Sequence, residues 1–342
     1  MRIACIAFTA AGEALADRAR AALPGHAWSL ARGFGADRVP LAPWCADAFA
    51  ASDALVFVGA AGIAVRAIAP HVRSKVFDPA VIVMDEGGRW CIPILSGHVG
   101  GANALARELA GAVGAAPVVT TATDGRGVWA VDTWAVSRGM AIGEPERIKD
   151  VSARLLAGGE VALWCDAEVL GPLPARVRRA PSRAEAHVIV SPAARPGERA
   201  LHVVPRCIVA GVGCRRGASA DAIEGAFRAA CAEAGILPDS LGAAATIELK
   251  RDEPGLVEWC AGRGVALEAF TADALAAQPG DFSSSAFVAQ TVGVDNVCER
   301  AAVAAGGRLC AGKLARGGVT VALAELPWTC SFDEPGGRGG AG

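Results

Sequence analysis

Short, wholly apolar segments alternate with amphipathic segments along this chain, and this alternation restricts its fold more than any other feature. A short apolar run bounded by glycine or polar residues is typical of a strand that is buried on both faces. When a helical segment follows each such strand, the pattern predicts a parallel sheet covered by helices. We therefore predict an α/β fold with mainly parallel sheets.

The predicted elements form two α/β series with a smaller region between them. The first series has strands at 2–9, 54–58, 81–85, 90–94 and 117–121 and helices at 11–23, 59–69 and 101–113. The second has strands at 205–210, 243–249 and 319–326 and helices at 220–234, 254–262 and 295–305. Between them lie a helix at 148–156, strands at 161–165 and 186–190, a basic loop at 171–183 and a linker at 191–199.

These series predict two three-layer α/β domains joined by a small α+β middle region. The N-terminal domain spans residues 1–133, the middle region and linker 134–200, and the C-terminal domain 201–327. A glycine-rich, flexible tail follows at 328–342.

Charge, hydropathy and cysteine usage exclude several classes of protein. A net charge of −2 provides no basic field for nucleic acid. Every apolar run is interrupted before the ~20 residues that span a bilayer, and the apolar N-terminus is interpreted as a first strand. The 11 cysteines form no C-x-x-C pair and no zinc-ligand spacing with histidine. We expect a cytoplasmic protein with buried free thiols and no metal of its own.

Four loops at predicted strand ends are candidate ligand sites, because ligands of open α/β sheets collect outside the carboxyl ends of strands. In the first loop, 59–66, the small residues at a helix start, including Gly62, suit an anion, and Arg66 adds a charge. The alternative is that these glycines only permit tight packing and that Arg66 is solvated.

The second loop, 96–103, is the strongest candidate for chemistry. It contains Gly97, Gly100 and Gly101, which let the backbone approach a ligand, and Asn103 in the first turn of the next helix. Ser96 is predicted to cap that helix. His98, one of 5 histidines, stands in this loop and not in an apolar run, which favours a base over a structural role.

The third and fourth loops offer polar and basic side chains. Thr121, Thr123 and Asp124 supply hydroxyls and a carboxylate beside a glycine turn, with plain turn formation as the alternative. The loop 211–217 spaces its glycines as G-x-G-x-x-x-G, which argues against a dinucleotide site. Arg215 and Arg216 in that loop suit carboxylate or phosphate groups.

Taken together, these motifs and their order resemble the cobalt-precorrin-5A hydrolase family, also called CbiG. The resemblance rests on residues 62–66, 78–81, 96–103 and 120–124 in the first series. In the second it rests on 211–217, 248–250, 253–256, 292–294, 299–302, Lys313 and 320–322. The string Ser-Gly-His-Val-Gly-Gly-Ala-Asn at 96–103 is the most specific of them.

The resemblance implies an enzyme of anaerobic cobalamin biosynthesis that opens the δ-lactone of cobalt-precorrin-5A and releases acetaldehyde, giving cobalt-precorrin-5B. It implies no cofactor, because the substrate carries the cobalt. We expect His98 and Asp124 to act as bases and the amides of loop 97–101 to steady an oxyanion. Arg66, Arg215, Arg216, Lys250 and Lys313 would hold the peripheral carboxylates of the macrocycle.

Two other functions stay open on the sequence. One is a non-catalytic corrinoid carrier or chaperone of the same pathway, and the other is an NAD(P)-linked oxidoreductase. The expected partner is the tetrapyrrole substrate, with neighbouring enzymes of the pathway and a second copy of the chain as further candidates. No nucleic acid and no membrane are expected as partners.

Overall fold

A computed structural model of the protein describes residues 1–73, 77–97, 100–120, 128–283 and 296–333. Contacts divide the chain into two compact units, of which the first is Met1–Trp134 and the second begins at Ala135. Each unit builds its sheets from its own strands.

Unit 1 contains one sheet of six strands. Its strands are β1 (Arg2–Ala7), β2 (Ala27–Arg32), β3 (Ala54–Val58), β4 (Ala80–Met84), β5 (Trp90–Leu95) and β6 (Ala116–Pro117), in the order β2-β1-β3-β4-β5-β6. Its helices are α1 (Ala10–Ala22), α2 (Leu41–Ala51), α3 (Ala61–Ile68) and α4 (Ala102–Val113), and α5 (Val131–Ser137) contains the boundary between the units. All described pairings are parallel except that of β4 with β5.

The strands of unit 1 pack into a core on each face because successive side chains point to opposite sides of the sheet. One core joins residues such as Ile3 and Cys5 to α1 and α4. The other joins Ala4 and Ile6 to α2 and α3. The central strands β3 and β4 are buried along their whole length, as expected for apolar strands without alternation.

Unit 2 contains two five-stranded sheets, and the first lies in the middle region. Its strands are β7 (Ala141–Ile142), β8 (Val161–Cys165), β10 (Val177–Arg179), β11 (Val188–Val190) and β12 (Leu201–Val204), in the order β10-β8-β11-β12-β7. Only β7 runs antiparallel to its neighbour. The accompanying helices are α6 (Ile148–Leu156) and 3₁₀ turns at Pro145–Arg147 and Arg183–Glu185.

The second sheet of unit 2 has the order β15-β14-β13-β17-β16. Its strands are β13 (Ile208–Cys214), β14 (Leu241–Ile247), β15 (Ala266–Phe270), β16 (Arg308–Arg316) and β17 (Val319–Glu325). The helices are α7 (Ala220–Ala234), α8 (Pro254–Arg263), α9 (Ala272–Ala276) and α10 (Cys298–Ala304), with 3₁₀ turns at Pro238–Ser240 and Glu248–Lys250. One core of this sheet includes residues of α7 and α8, and the other includes residues of α9 and α10.

The segment after β17 contains a paired strand within residues 328–333, which the sequence had assigned to a flexible tail beginning at 328. Cys330–Ser331 forms β18, which pairs in parallel with β9 (Val169–Leu170) of the middle region. Cys330 is fully buried, and this burial holds the segment in place.

Two further predictions about the middle region were wrong. The predicted linker 191–199 instead joins β11 to β12, which are neighbours in one sheet, so the chain stays within the middle region there. The predicted basic loop 171–183 contains β10, an edge strand whose Val177 is buried while its two arginines are exposed. In 171–183 glycine, proline and charge suggested irregular backbone, but pairing with β8 decided the structure. Residues 191–199 are irregular backbone as expected, but they connect two strands of one sheet and not two domains.

The predicted helices α6, of the middle region, and α7, of the second α/β series, are confirmed with the same bounds. Of the predicted buried strand 117–121, residue 121 lies outside the described residues, and among 117–120 only Pro117 belongs to a strand, the exposed edge strand β6. The supposed loop 211–217 is strand β13 up to Cys214. None of the helices in the described ranges combines the length and apolarity that crossing a bilayer requires.

Candidate functional site

Ser96 connects the glycine-rich loop of unit 1 to the start of β4. Its side chain is buried, and its hydroxyl donates a hydrogen bond of 2.9 Å to the carbonyl oxygen of Asp78. Its backbone has φ 55°, a left-handed conformation that is uncommon outside glycine. The predicted helix cap at Ser96 was therefore wrong. The N-cap of α4 is Gly101, at φ 80°, and no side chain bonds there.

Close contacts leave no room for a side chain at two glycines of this loop. A Cβ at Gly97 would lie 2.8 Å from Oδ1 of Asn103, and one at Gly100 would overlap Cβ of Ser96. The amide of Asn103 donates to the carbonyl oxygen of Gly97 at 2.9 Å, and its side chain is buried. The loop is thus folded tightly against the first turn of α4, and larger residues at 97 and 100 would disrupt it.

The first and second candidate loops of unit 1 begin at opposite ends of the strands of its sheet. Because β5 runs antiparallel to β4, with Leu95 opposite Val81, residue 96 emerges where β4 begins. Gly62 follows the carboxyl end of β3, where parallel β4 also ends. Arg66 is exposed in the last turn of α3, and its Nη1 would lie 3.6 Å from a Cβ at Gly62. Gly62 and Arg66 thus lie close to each other and at the other end of the strands from residue 96.

His98, Thr121, Thr123 and Asp124 lie outside the described residues, so their proposed roles stay predictions. Of the strands that precede them in the chain, β5 comes before His98 and β6 before Thr121, and these two strands pair in parallel. Consequently Thr120 follows β6 toward the same edge of the sheet as Ser96.

The four basic residues predicted in the C-terminal series line one cleft of unit 2. The cleft has a volume of about 600 Å³, and Arg215, Arg216, Lys250 and Lys313 all contribute to it. Its remaining lining is largely apolar and includes Ile247, Val297 and Val319. A cleft of this size with an apolar lining and few charged groups is typical of small-molecule sites.

Strand direction explains why these residues meet. Parallel β13 and β14 end at one edge of the sheet, with Cys214 and Ile247 as their last residues. Antiparallel β17 begins at that edge, since Val319 lies opposite Cys214. Arg215, Arg216 and Lys250 therefore follow the carboxyl ends of the parallel strands, where ligands of such sheets bind. Lys313 lies within β16 and also lines the cleft.

Glu253 organises one side of the cleft, and sequence reasoning did not single it out. Its carboxylate accepts a 2.6 Å hydrogen bond from the amide of Gly217 and lies 2.8 Å from Nζ of Lys250. The hydrogen bond from Lys250, followed by that from Gly217, lowers the pKa of Glu253. Among the described residues, Arg215, Arg216 and Lys313 make no ion pair, so their charges stay available to a ligand.

Glu299 fixes the other side of the cleft from within the core. It is only 3% exposed and accepts hydrogen bonds from the amide of Lys313 (2.7 Å) and from Nδ2 of Asn296 (2.8 Å). Asn296 also lines the cleft. The sequence motif contained Glu299, but only its burial shows that it positions neighbouring residues.

Cys214 and Cys298 are the thiols of the cleft. Burial raises the pKa of Cys214, and it raises that of Cys298 to about 11. Both thiols are therefore protonated near neutral pH and are poor nucleophiles. In the described part of the chain, no three acidic, histidine or cysteine side chains group together as metal ligands.

Known families match the chain in three consecutive segments. The family described as "Cobalamin synthesis G N-terminal" matches residues 43–124, "Cobalamin biosynthesis central region" matches 129–206, and "Cobalamin synthesis G C-terminus" matches 208–324. These segments contain the candidate loops of unit 1 and the residues that line the C-terminal cleft.

Individual relatives agree with the family matches. The chain is 36% identical to the cobalt-precorrin-5A hydrolase of Salmonella typhimurium, over 94% of this chain and 97% of that protein. It is 35% identical to the cobalt-precorrin-5A hydrolase of Priestia megaterium, over 60% of each chain. A solved cobalamin biosynthesis protein G homolog from Sulfolobus solfataricus is 20% identical with a TM-score of 0.41, and the alignment covers 95% of this chain and 97% of that one.

Proposed function

The chain belongs to the cobalamin synthesis G family, and from this premise we propose that it is a cobalt-precorrin-5A hydrolase of cobalamin biosynthesis. The relative from Salmonella typhimurium supports this because it matches the chain over nearly its whole length. The substrate is then a cobalt macrocycle, and the cobalt arrives with it.

The convergence of four cations on one cleft is the observation that carries the substrate assignment. The macrocycle is an apolar ring with acetate and propionate groups around its edge. In the cleft, Ile247 and Val297 would face the ring, while the guanidinium and ammonium groups pair with carboxylates. Because Glu253 neutralises Lys250, Arg215, Arg216 and Lys313 are the stronger attractors.

We assign the hydrolysis of the lactone and the cleavage of the C–C bond to residues in the loops of unit 1. His98 takes a proton from water, the resulting hydroxide adds to the lactone carbonyl, and the ring C–O bond breaks to give a carboxylate and a hydroxyethyl group. Amides of residues 97–101 stabilise the oxyanion. Asp124, or His98 after it has released its first proton to solvent, then takes the hydroxyl proton. The C–C bond breaks, acetaldehyde leaves, and the electron pair passes into the macrocycle.

We further propose the finer organisation of the molecule. The N-terminal domain spans residues 1–133. Both this domain and the C-terminal domain have three layers, with helices on both faces of the sheet, because each sheet has a hydrophobic core on either side. The C-terminal domain starts after the central match ends at residue 206, since β12 pairs within the middle sheet. The enzyme is cytoplasmic and associates with neighbouring pathway enzymes or with a second copy of itself.

Trapping acetaldehyde released from cobalt-precorrin-5A tests the function. We expect stoichiometric release by the wild type, and a loss of at least about a hundredfold in kcat for His98→Ala, because general-base catalysis contributes about 10²–10⁴-fold. His71→Ala, elsewhere in unit 1, serves as the matched histidine control. Turnover by His98→Ala within a few-fold of the wild type would eliminate His98 as the base.

The same assay separates substrate binding from chemistry. Lys313→Gln should raise KM about tenfold with a smaller effect on kcat, since one charge-assisted contact contributes about 1.5–3 kcal/mol. Arg228→Gln, on the exposed side of α7, is the control for a lost positive charge. Tight binding of the macrocycle without acetaldehyde would instead indicate a corrinoid carrier. Quenching of protein fluorescence by NADH would support an oxidoreductase.

A further inference from the structure

The middle region of unit 2 contains a second large cavity, separate from the cleft of the C-terminal sheet. Its volume is about 630 Å³. It lies beside α6 and the loop between β11 and β12, and its lining comes entirely from residues 147–201. None of these residues takes part in the proposed hydrolase reaction.

Arginines dominate the charge of this cavity. Arg147, Arg154, Arg195 and Arg199 line it, and within the described residues none of the four is paired with a carboxylate. Arg183 also lines it but is neutralised by Asp166 and Glu198.

The acidic side chains that line the cavity are Asp150 and Glu198. Glu198 is already committed to Arg183 and to His202. The four unpaired arginines therefore give the cavity a positive excess, in a chain whose net charge is −2.

The floor of the cavity is apolar. Val151, Ile189 and Leu201 contribute to the lining, and all three are buried residues of α6, β11 and β12. An apolar floor beneath a rim of guanidinium groups suits a ligand with a hydrophobic body and negatively charged substituents.

His187 adds a neutral donor to the lining. Its Nδ1 accepts a 2.9 Å hydrogen bond from the amide of Ala162, so the proton of the neutral ring is on Nε2. Burial, with Arg154 and Arg178 nearby, lowers the pKa of His187. The ring thus stays neutral near pH 7 and offers Nε2–H as a hydrogen-bond donor.

We propose that this cavity is a second binding site, for a small organic anion that has an apolar body and at least two carboxylate groups. Arg195 and Arg199 supply two exposed guanidinium groups on the loop that covers the apolar floor. This site does not depend on the proposed hydrolase activity, and its test needs no turnover.

Isothermal titration calorimetry of the full chain with benzene-1,3,5-tricarboxylate tests the site. Arg195→Gln/Arg199→Gln should weaken binding at least about tenfold, because each lost charge-assisted contact contributes about 1.5–3 kcal/mol. Arg38→Gln/Arg206→Gln removes two equally exposed arginines outside the cavity and should bind within about twofold of the wild type. Single Arg199→Gln gives an intermediate loss and guards against misfolding of the double variant.

Citrate and inorganic pyrophosphate resolve the chemistry of the ligand. Citrate has three carboxylates without an aromatic body, so it should bind more weakly than the aromatic acid. Pyrophosphate binding more tightly than either would overturn the carboxylate assignment. No heat with the aromatic acid up to about 5 mM, or equal weakening in the control variant, would overturn the site itself.

Discussion

At the scale of single residues, the buried ring of His202 is held between two carboxylates. It is 2% exposed, and its ring nitrogens lie 2.9 Å from Glu144 and 3.0 Å from Glu198. The hydrogen bond to Glu144 raises the pKa of His202, against the opposing effect of burial. Burial acts to raise the pKa of Glu198, but the hydrogen bonds from Arg183, from the amide of Arg195 and from His202 outweigh it and lower the pKa to about 2.

These two shifts predict a contribution to the stability of unit 2 that is largest in mildly acidic solution. The contribution of His202 is fully present below its unfolded pKa of about 6.5 and is lost as pH rises through the raised folded value. The contribution of Glu198 is present above its unfolded pKa of about 4.3 and is lost as the pH falls toward its lowered folded pKa. Urea unfolding from pH 3 to 9 should thus show these two groups contributing most to the free energy of unfolding between about pH 4.5 and 6.5.

His202→Gln is the control for that profile. It removes the titrating group and should flatten the loss of stability on the alkaline side, while the acidic side remains. An unchanged alkaline slope would show that other groups set the pH dependence.

The basic lining of the candidate cleft could be predicted from sequence, but its supports could not. Arg215 and Arg216 followed an apolar strand, and the family motifs indicated Lys250 and Lys313. Glu253 and Glu299 are carboxylates whose role depends on being buried among donors, which spacing along the chain does not reveal.

At the scale of elements, the close approach of α10 to β13 determines what position 211 can hold. A Cβ at Gly211 would overlap the carbonyl oxygen of Cys298, at the start of the helix. Backbone cannot move aside as a flexible side chain can, so the helix itself would have to shift.

We therefore expect Gly211→Ala to destabilise unit 2 by about 1–3 kcal/mol, the usual cost of overpacking a core. A Cβ at Gly225, within α7, would meet no other atom within 4 Å, so Gly225→Ala should stabilise by about 0.5–1 kcal/mol. Urea denaturation measures both variants. Equal effects of the two alanines would contradict a specific clash at Gly211.

Element types were predicted better than element orientations and short strands. Long helices with caps, such as α7 with Ser219, show their bounds in the sequence. Because β5 runs antiparallel to β4, residue 96 lies at the opposite end of the strands from Gly62. The direction of a strand depends on its pairing partner, which its own sequence pattern does not identify. The exposed two-residue strand β6 carries too little pattern to identify.

At the scale of the whole molecule, strand β18 connects the segment that follows the C-terminal sheet to the middle region. Deleting residues 328–342 would remove buried Cys330 and the partner of β9. We expect this truncation to lower the thermal midpoint by several degrees, since a loss of ~1 kcal/mol shifts Tm by about 2–4 °C in chains of this size.

A shorter truncation supplies the control. Deleting only residues 334–342, the glycine-rich end, should leave the thermal midpoint unchanged because β18 is retained. If both truncations have the same midpoint, β18 does not stabilise the middle region.

The pairing of β18 with β9 also bears on how the protein is made. Domains generally fold from the N-terminus as the ribosome extends the chain. Residues 169–170 leave the ribosome early, but their partners at 330–331 follow only after the entire C-terminal sheet has been translated. The middle region therefore waits with an open strand edge through most of the remaining translation, and exposed edges of this kind are where nascent chains aggregate or recruit chaperones.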